Sequence, residues 1–144
     1  MINDVLITPL KIIDAPGGNV MHGMKISDHG YVNFGEAYFS KIALGETKAW
    51  KRHKKMTLNL IVPIGEIKFV LFDDRDKDNR VFQEVVISQT NYSRLTIPPM
   101  IWMGFQGLST PESMLLNIAD IVHDPFEVDK KKIEEIEFNW SKYK

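Results

Sequence analysis

Nine short runs rich in apolar and β-branched residues, parted by turn signals, limit this chain of 144 residues to an architecture built from strands. They read as strands near Val5 to Ile12, Val20 to Lys25, Phe34 to Ile42, Met56 to Pro63, Glu66 to Asp73, Phe82 to Ser88, Ser93 to Ile97, Ile101 to Gly107 and Ser113 to Ile118. Gly17-Gly18, Ser27-Asp28-His29-Gly30, Gly45-Glu46, Ile64-Gly65, the charged stretch Asp74 to Arg80 and Pro98-Pro99 supply the turns. No long 3.6-residue period occurs before the C-terminal region. There, Lys130 to Glu137 is a solvated tail segment with the potential for a short helix. This spacing predicts an all-β sandwich or barrel.

With 44% hydrophobic residues the chain can bury one core, so a single domain over residues 1–144 is expected. Eighteen basic and nineteen acidic side chains leave a formal charge of -1, which gives no reason to expect a nucleic-acid partner. The local basic group Lys48, Lys51, Arg52, Lys54 and Lys55 suits a ligand phosphate better than a duplex, which needs a broad stripe of charge. Cysteine is absent, which removes disulfides, thiolate ligands and a thiol nucleophile. Met1-Ile2-Asn3-Asp4-Val5 lacks the pattern of a secretion signal, and no apolar run has membrane-spanning length, so a soluble cytoplasmic protein with no membrane partner is expected.

Trp50-Lys51-Arg52-His53 precedes Gly65 by twelve residues, and Ile67 to Arg75 follows. Strand alternation sends Leu58, Leu60 and Val62 to one face and Asn59, Ile61 and Pro63 to the other, with His53 at the mouth of a small barrel. Together with Ile97-Pro98-Pro99-Met100-Ile101-Trp102-Met103-Gly104-Phe105 and Tyr31 to Ser40, these blocks resemble a cupin. More narrowly, they resemble the dTDP-4-dehydrorhamnose 3,5-epimerase family, RmlC-like sugar-nucleotide enzymes, from about Gly17 to Trp140. The resemblance implies a jelly-roll cupin, a double-stranded β-helix, and a homodimer that exchanges N-terminal strands.

Metal-binding cupins use a His-x-His pair, a Glu and a further His. Those positions fall here on Lys51, His53, Leu58 and Met103, so no metal and no other cofactor is expected. A metal-free role for His53 follows from the resemblance: the corresponding histidine removes a proton from the carbon beside the ketone of a nucleotide-linked 4-keto-6-deoxyhexose, and a tyrosine returns one on the other face. Imidazole suits that task near neutral pH, and Lys51, Arg52 or Lys55 would stabilise the enolate and bind phosphate. The alternative for His53 is an exposed imidazole at a strand end.

The chain also departs from the family. Trp50-Lys51-Arg52 stands where the family has Arg-Gly-Leu, and counting back from Pro125 places Asn117 at the position of the proton-donating tyrosine. An amide has no usable acidity. His123, by the same count, replaces a second tyrosine that faces the cavity and is the candidate donor. The family's orienting carboxylate finds no matching motif in Asp129 to Glu137, which leaves Asp73, Asp120 or no group as the partner of His53.

Asp73 or Asp74 should face the interior by alternation, although Asp73-Asp74-Arg75 also reads as a turn cap. Glu36 resembles the glutamate that binds the nucleobase, and Asn59 is grouped with the substrate-binding residues. Trp102 is either core or a stacking surface. Tyr38 is a core aromatic in preference to a replacement acid. His22 and His29 read as surface residues, although His29-Gly30-Tyr31 stands where the family's Arg-Gly-Phe meets the nucleotide.

The resemblance implies epimerisation at a carbon beside the ketone of a nucleotide-diphospho-4-keto-6-deoxy sugar, in surface polysaccharide or deoxysugar biosynthesis. The alternatives are a sugar-nucleotide 3,4-ketoisomerase and a catalytically silent cupin that binds a sugar nucleotide.

Overall fold

A computed structural model describes residues 1–140. Its strands are β1 (Leu6–Pro9), β2 (Ile12–Ile13), β3 (Val20–Met21), β4 (Glu36–Ala43), β5 (Thr47–His53), β6 (Leu58–Ile64), β7 (Ile67–Asp73), β8 (Val81–Ile87), β9 (Ser93–Ile97), β10 (Trp102–Gly107), β11 (Glu112–Ala119) and β12 (Val128–Lys130). One sheet runs β1-β9-β6-β11-β4 and the other β12-β5-β10-β7-β8, while β2 and β3 form a small ribbon. All pairings between these strands are antiparallel. This is the expected all-β jelly roll of the cupin type.

Leu58, Leu60, Phe69, Leu71, Leu95, Phe105 and Leu115 belong to one core cluster that draws on both sheets. The alternate residues of β7, Val70 and Phe72, join Trp50, Trp102, Ile136 and Trp140 in a second cluster on the outer face. Both faces of β7 are therefore buried, which is why Ile67 to Asp73 is almost continuously apolar. On the other sheet, Asn59 turns outward as alternation requires. Its Nδ2 donates to the Gly30 carbonyl at 3.2 Å, and its Oδ1 accepts from the Thr96 hydroxyl at 2.6 Å. Arg94 also faces outward there and donates to the carbonyls of Gly23 and His29, so buried polar side chains hold the N-terminal segment over this face.

Two strands are absent from the sequence expectation, β5 and β12, and both build the site. β5 is mostly charged, so its apolar alternation is masked, and a bulge breaks its period. Ala49 and Trp50 together oppose Gly104 of β10, between the pairs Lys51–Met103 and Lys48–Phe105. A Cβ at Gly104 would lie 2.7 Å from that of Ala49 and 3.0 Å from the Trp140 ring, so the bulge needs glycine opposite. β12 has only three residues and owes its pairing with Lys51 to His53 to register, not to propensity. The short helix considered for Lys130 to Glu137 is reduced to one 3-10 turn, Ile133–Glu135.

Candidate active site

A cavity of about 410 Å³ opens between the two sheets. The first sheet lines it with Tyr38 and Ser40 of β4, Leu58 and Leu60 of β6, and Leu115 and Asn117 of β11. The second contributes Lys48, Lys51 and His53 of β5, Met103 and Phe105 of β10, and Val128 and Lys130 of β12, while His123 and Pro125 come from the connection between β11 and β12. The bulge in β5 allows Lys48 to share the inward face with Lys51 and His53, since strict alternation would turn it away.

His53 Nδ1 lies 2.5 Å from Glu127 Oε1. Glu127 is 2% exposed, and its other oxygen accepts the backbone N–H groups of Lys55 and Met56 at 3.0 and 3.2 Å. Burial alone would raise its pKa, but the hydrogen bonds from His53 and the two amides outweigh burial and hold the carboxyl below the usual glutamate range. An ionised Glu127 accepts a proton bond from Nδ1–H. That tautomer leaves the Nε2 lone pair as the basic position of the ring.

Lys48, Lys51 and Lys130 share one wall, and among the described residues no carboxylate lines the cavity. Partial burial, then the neighbouring ammonium groups of Lys130 and Lys48, push Lys51 below the usual lysine range. Three cations without an anion among the lining residues form a receptor for negative charge. On the facing wall, Asn117 Nδ2 donates to Tyr38 Oη at 3.0 Å, and the two residues are direct cross-strand partners.

Of the residues singled out in sequence, His53, Lys51, Asn117 and His123 meet in this cavity. Others lie elsewhere. Arg52 points outward by alternation, donating to Asp129 at 2.7 Å and lying 4.6 Å from the centre of the Trp102 ring. Trp102 is buried in the outer aromatic cluster, which makes it core and not a stacking platform. Asp73 pairs with Arg75, which also holds Asp4, so this carboxylate serves the turn after β7 and is not the partner of His53. Asp120, the other candidate partner, accepts from the Thr57 amide. Asn59 fastens the N-terminal segment, Lys55 meets Glu127 only through its backbone N–H, and Glu36 begins β4 outside the cavity lining.

Three groups escaped assignment from sequence. Glu127 lies two residues before the segment searched for an orienting carboxylate, and its signal is Asp124-Pro125, with Asp124 capping the 3-10 turn Pro125–Glu127. Tyr38 lines the cavity instead of the core, and Lys130 reaches it through β12. Lys51, Leu58 and Met103, the positions a metal cupin gives to ligands, line the same cavity as His53, and their side chains offer no ligand set for a divalent ion. Among the described residues, no three His, Cys, Asp or Glu side chains cluster as a metal site. No helix among them is long and apolar enough to cross a membrane.

A dTDP sugar isomerase of solved structure from Desulfovibrio desulfuricans G20 is 33% identical to this chain, covering 97% of this chain and 92% of its own, with a TM-score of 0.91. The chain belongs to the RmlC-like family of dTDP-sugar isomerases and epimerases. QdtA, a sugar 3,4-ketoisomerase from Thermoanaerobacterium thermosaccharolyticum solved in complex with TDP, shares the fold at a TM-score of 0.73 and 20% identity, over 94% of this chain and 96% of that one. The spore coat polysaccharide biosynthesis protein SpsL of Bacillus subtilis (strain 168) is 28% identical over 116 residues, 76% of each chain. No protein-family model matches the chain.

Proposed function

We propose that this RmlC-like protein epimerises a carbon beside the ketone of a dTDP-4-keto-6-deoxy sugar in polysaccharide or deoxysugar biosynthesis. The observation that carries this reading is a histidine, fixed by a buried carboxylate, on the same wall of a cavity as three lysines. His53 Nε2 takes the proton from the carbon, while Glu127 holds the opposite ring nitrogen and stabilises the imidazolium. Lys51, two residues along the same strand face, supplies positive charge to the enolate oxygen. Lys130, the cross-strand partner of Lys51, and Lys48, farther along the wall, pair with the diphosphate.

A second reading, carbonyl migration as in a sugar 3,4-ketoisomerase, draws on the 33% identity with a protein described as a dTDP sugar isomerase. One experiment separates the readings. In deuterated water with dTDP-4-keto-6-deoxyglucose, NMR should show deuterium entering C3 or C5 with an inverted centre. A moved carbonyl would favour ketoisomerisation, and saturable dTDP binding without exchange would leave a silent binding module.

The homodimer is part of the same proposal. β4 is an edge strand, and Phe39 on it is 63% exposed, near in sequence to Val32 and Phe34 at 62% and 59%. A second copy would cover this apolar edge.

A further inference from the structure

A second cavity, of about 240 Å³, lies under the N-terminal segment. It reaches the body of the domain at Arg94 of β9, which faces outward from the first sheet. Among the described residues, none lines both this cavity and the one that holds His53. The reaction proposed above makes no use of it.

Its wall carries an excess of positive charge. Lys11, Lys25 and Arg94 contribute three cations, and among the described residues Asp28 is the one carboxylate. That carboxylate is already engaged, since Oδ2 accepts from the Lys25 backbone N–H at 2.9 Å and from Arg94 Nη1 at 3.3 Å. Arg94 is wholly buried. Its Nη1 and Nη2 also donate to the carbonyls of Gly23 and His29, at 2.8 and 3.2 Å, but its buried Nε has no hydrogen-bond partner. A buried cationic donor without an acceptor is costly, and an anion seated against this guanidinium would relieve that cost.

The wall is also fixed before any ligand arrives. The Leu10 N–H donates to the Tyr92 carbonyl at 2.9 Å, the Tyr92 hydroxyl to the His22 carbonyl at 2.7 Å, and the His22 N–H to the Lys11 carbonyl at 3.0 Å. Binding would therefore order little backbone. Pro9, Leu10 and Met24 add an apolar side, and the volume suits a ligand smaller than a drug-sized one. We propose that this cavity is a second binding site, for a small phosphate monoester, with the phosphate on Lys11, Lys25 and Arg94 and the organic group against Pro9, Leu10 and Met24. A phosphate monoester carries about −1.5 to −2 charge near pH 7, which the cationic excess complements. The site stands whether or not the proposed reaction does.

The four histidines allow the two cavities to be read separately. His22 and His29 line this one, and His53 and His123 line the other. The test follows the ring C–H resonances by NMR at constant pH, each assigned by replacing one histidine with glutamine. dTDP alone should shift His53 and His123 and leave His22 and His29 in place. Glucose 1-phosphate, added to protein already saturated with dTDP, should then shift His22 and His29 saturably, and inorganic phosphate should do so more weakly or not at all. Lys11→Met and Lys25→Met should each raise the dissociation constant for glucose 1-phosphate by about tenfold, the worth of one charge-assisted hydrogen bond, with dTDP affinity unchanged. No saturable shift of His22 or His29 with glucose 1-phosphate would overturn the proposal, as would wild-type affinity in both lysine variants. Inorganic phosphate binding as tightly as the ester would overturn the assignment to a monoester. Shifts of His22 and His29 by dTDP with the same midpoint as those of His53 and His123 would join the two cavities into one nucleotide site and overturn it as well.

Discussion

Glu127 determines how His53 presents itself. With one oxygen on the ring and the other on two backbone amides, the carboxylate has little freedom to rotate. Glu127→Gln should therefore be costly. A Gln side chain has one acceptor oxygen for the three donors, and its NH₂ group would meet either the ring or the amides. Turnover should fall by about 10 to 100-fold, the usual worth of a group that orients another, while dTDP affinity stays near wild type. His53→Asn should cost more, about 10² to 10⁴. Steady-state kinetics with dTDP titrations check both, and equal affinity loss and rate loss would return the pair to a structural role. His53 was legible in sequence because the cupin block carries its own spacing. Glu127 was not, since 74 residues separate the two and only β12 pairing closes that distance.

At the scale of one strand, β5 sorts the basic cluster into two functions. Lys51 and His53 point into the cavity, and Arg52 between them points out to Asp129, Asp74 and the Trp102 ring. Replacing Lys51 or Lys130 with methionine should raise the dissociation constant for dTDP by about tenfold each, roughly 1.4 kcal/mol, and flatten its salt dependence. Arg52→Met should leave that constant unchanged and lower the melting temperature instead. Calorimetric titration at two salt concentrations and a thermal melt distinguish these outcomes. If Arg52→Met weakens dTDP as much as Lys51→Met, the inward and outward faces have been misassigned. The run Lys51-Arg52-His53-Lys54-Lys55 is legible in sequence as a basic cluster, but sorting its members into inward and outward faces needed the location of the strand and its bulge.

Across the whole molecule, several carboxyls are held below their ordinary range. Asp4 and Asp73 are held there by hydrogen bonds from Arg75, Asp129 by its bond from Arg52, and Glu127 by His53 and two amides against the opposing pull of burial. A carboxyl lowered in the folded state adds stability above its unfolded pKa and loses it as pH falls through the folded value. The melting temperature should thus be level above about pH 6 and decline steadily below about pH 5. Asp129→Asn should reduce that decline, and an unchanged slope would mean that its bond to Arg52 carries little of it. For the exposed edge around Phe39, light scattering after gel filtration should report a dimer, and Phe39→Glu should yield a monomer. A wild-type monomer at all concentrations would remove the dimer proposal.

By itself the sequence determined the class of fold, because short β-branched runs with period-two alternation can bury their apolar faces only in facing sheets. It also determined that His53 heads a cupin block, and that Leu58 and Leu60 share a face opposite Asn59 and Ile61. Tertiary structure decided the chemistry of the wall. A bulge opposite Gly104, a three-residue strand and a cross-strand amide bring Lys48, Lys130, Glu127 and Tyr38 to their places. None of these contacts is local, and local periodicity carries no information about which distant residue a strand edge will meet.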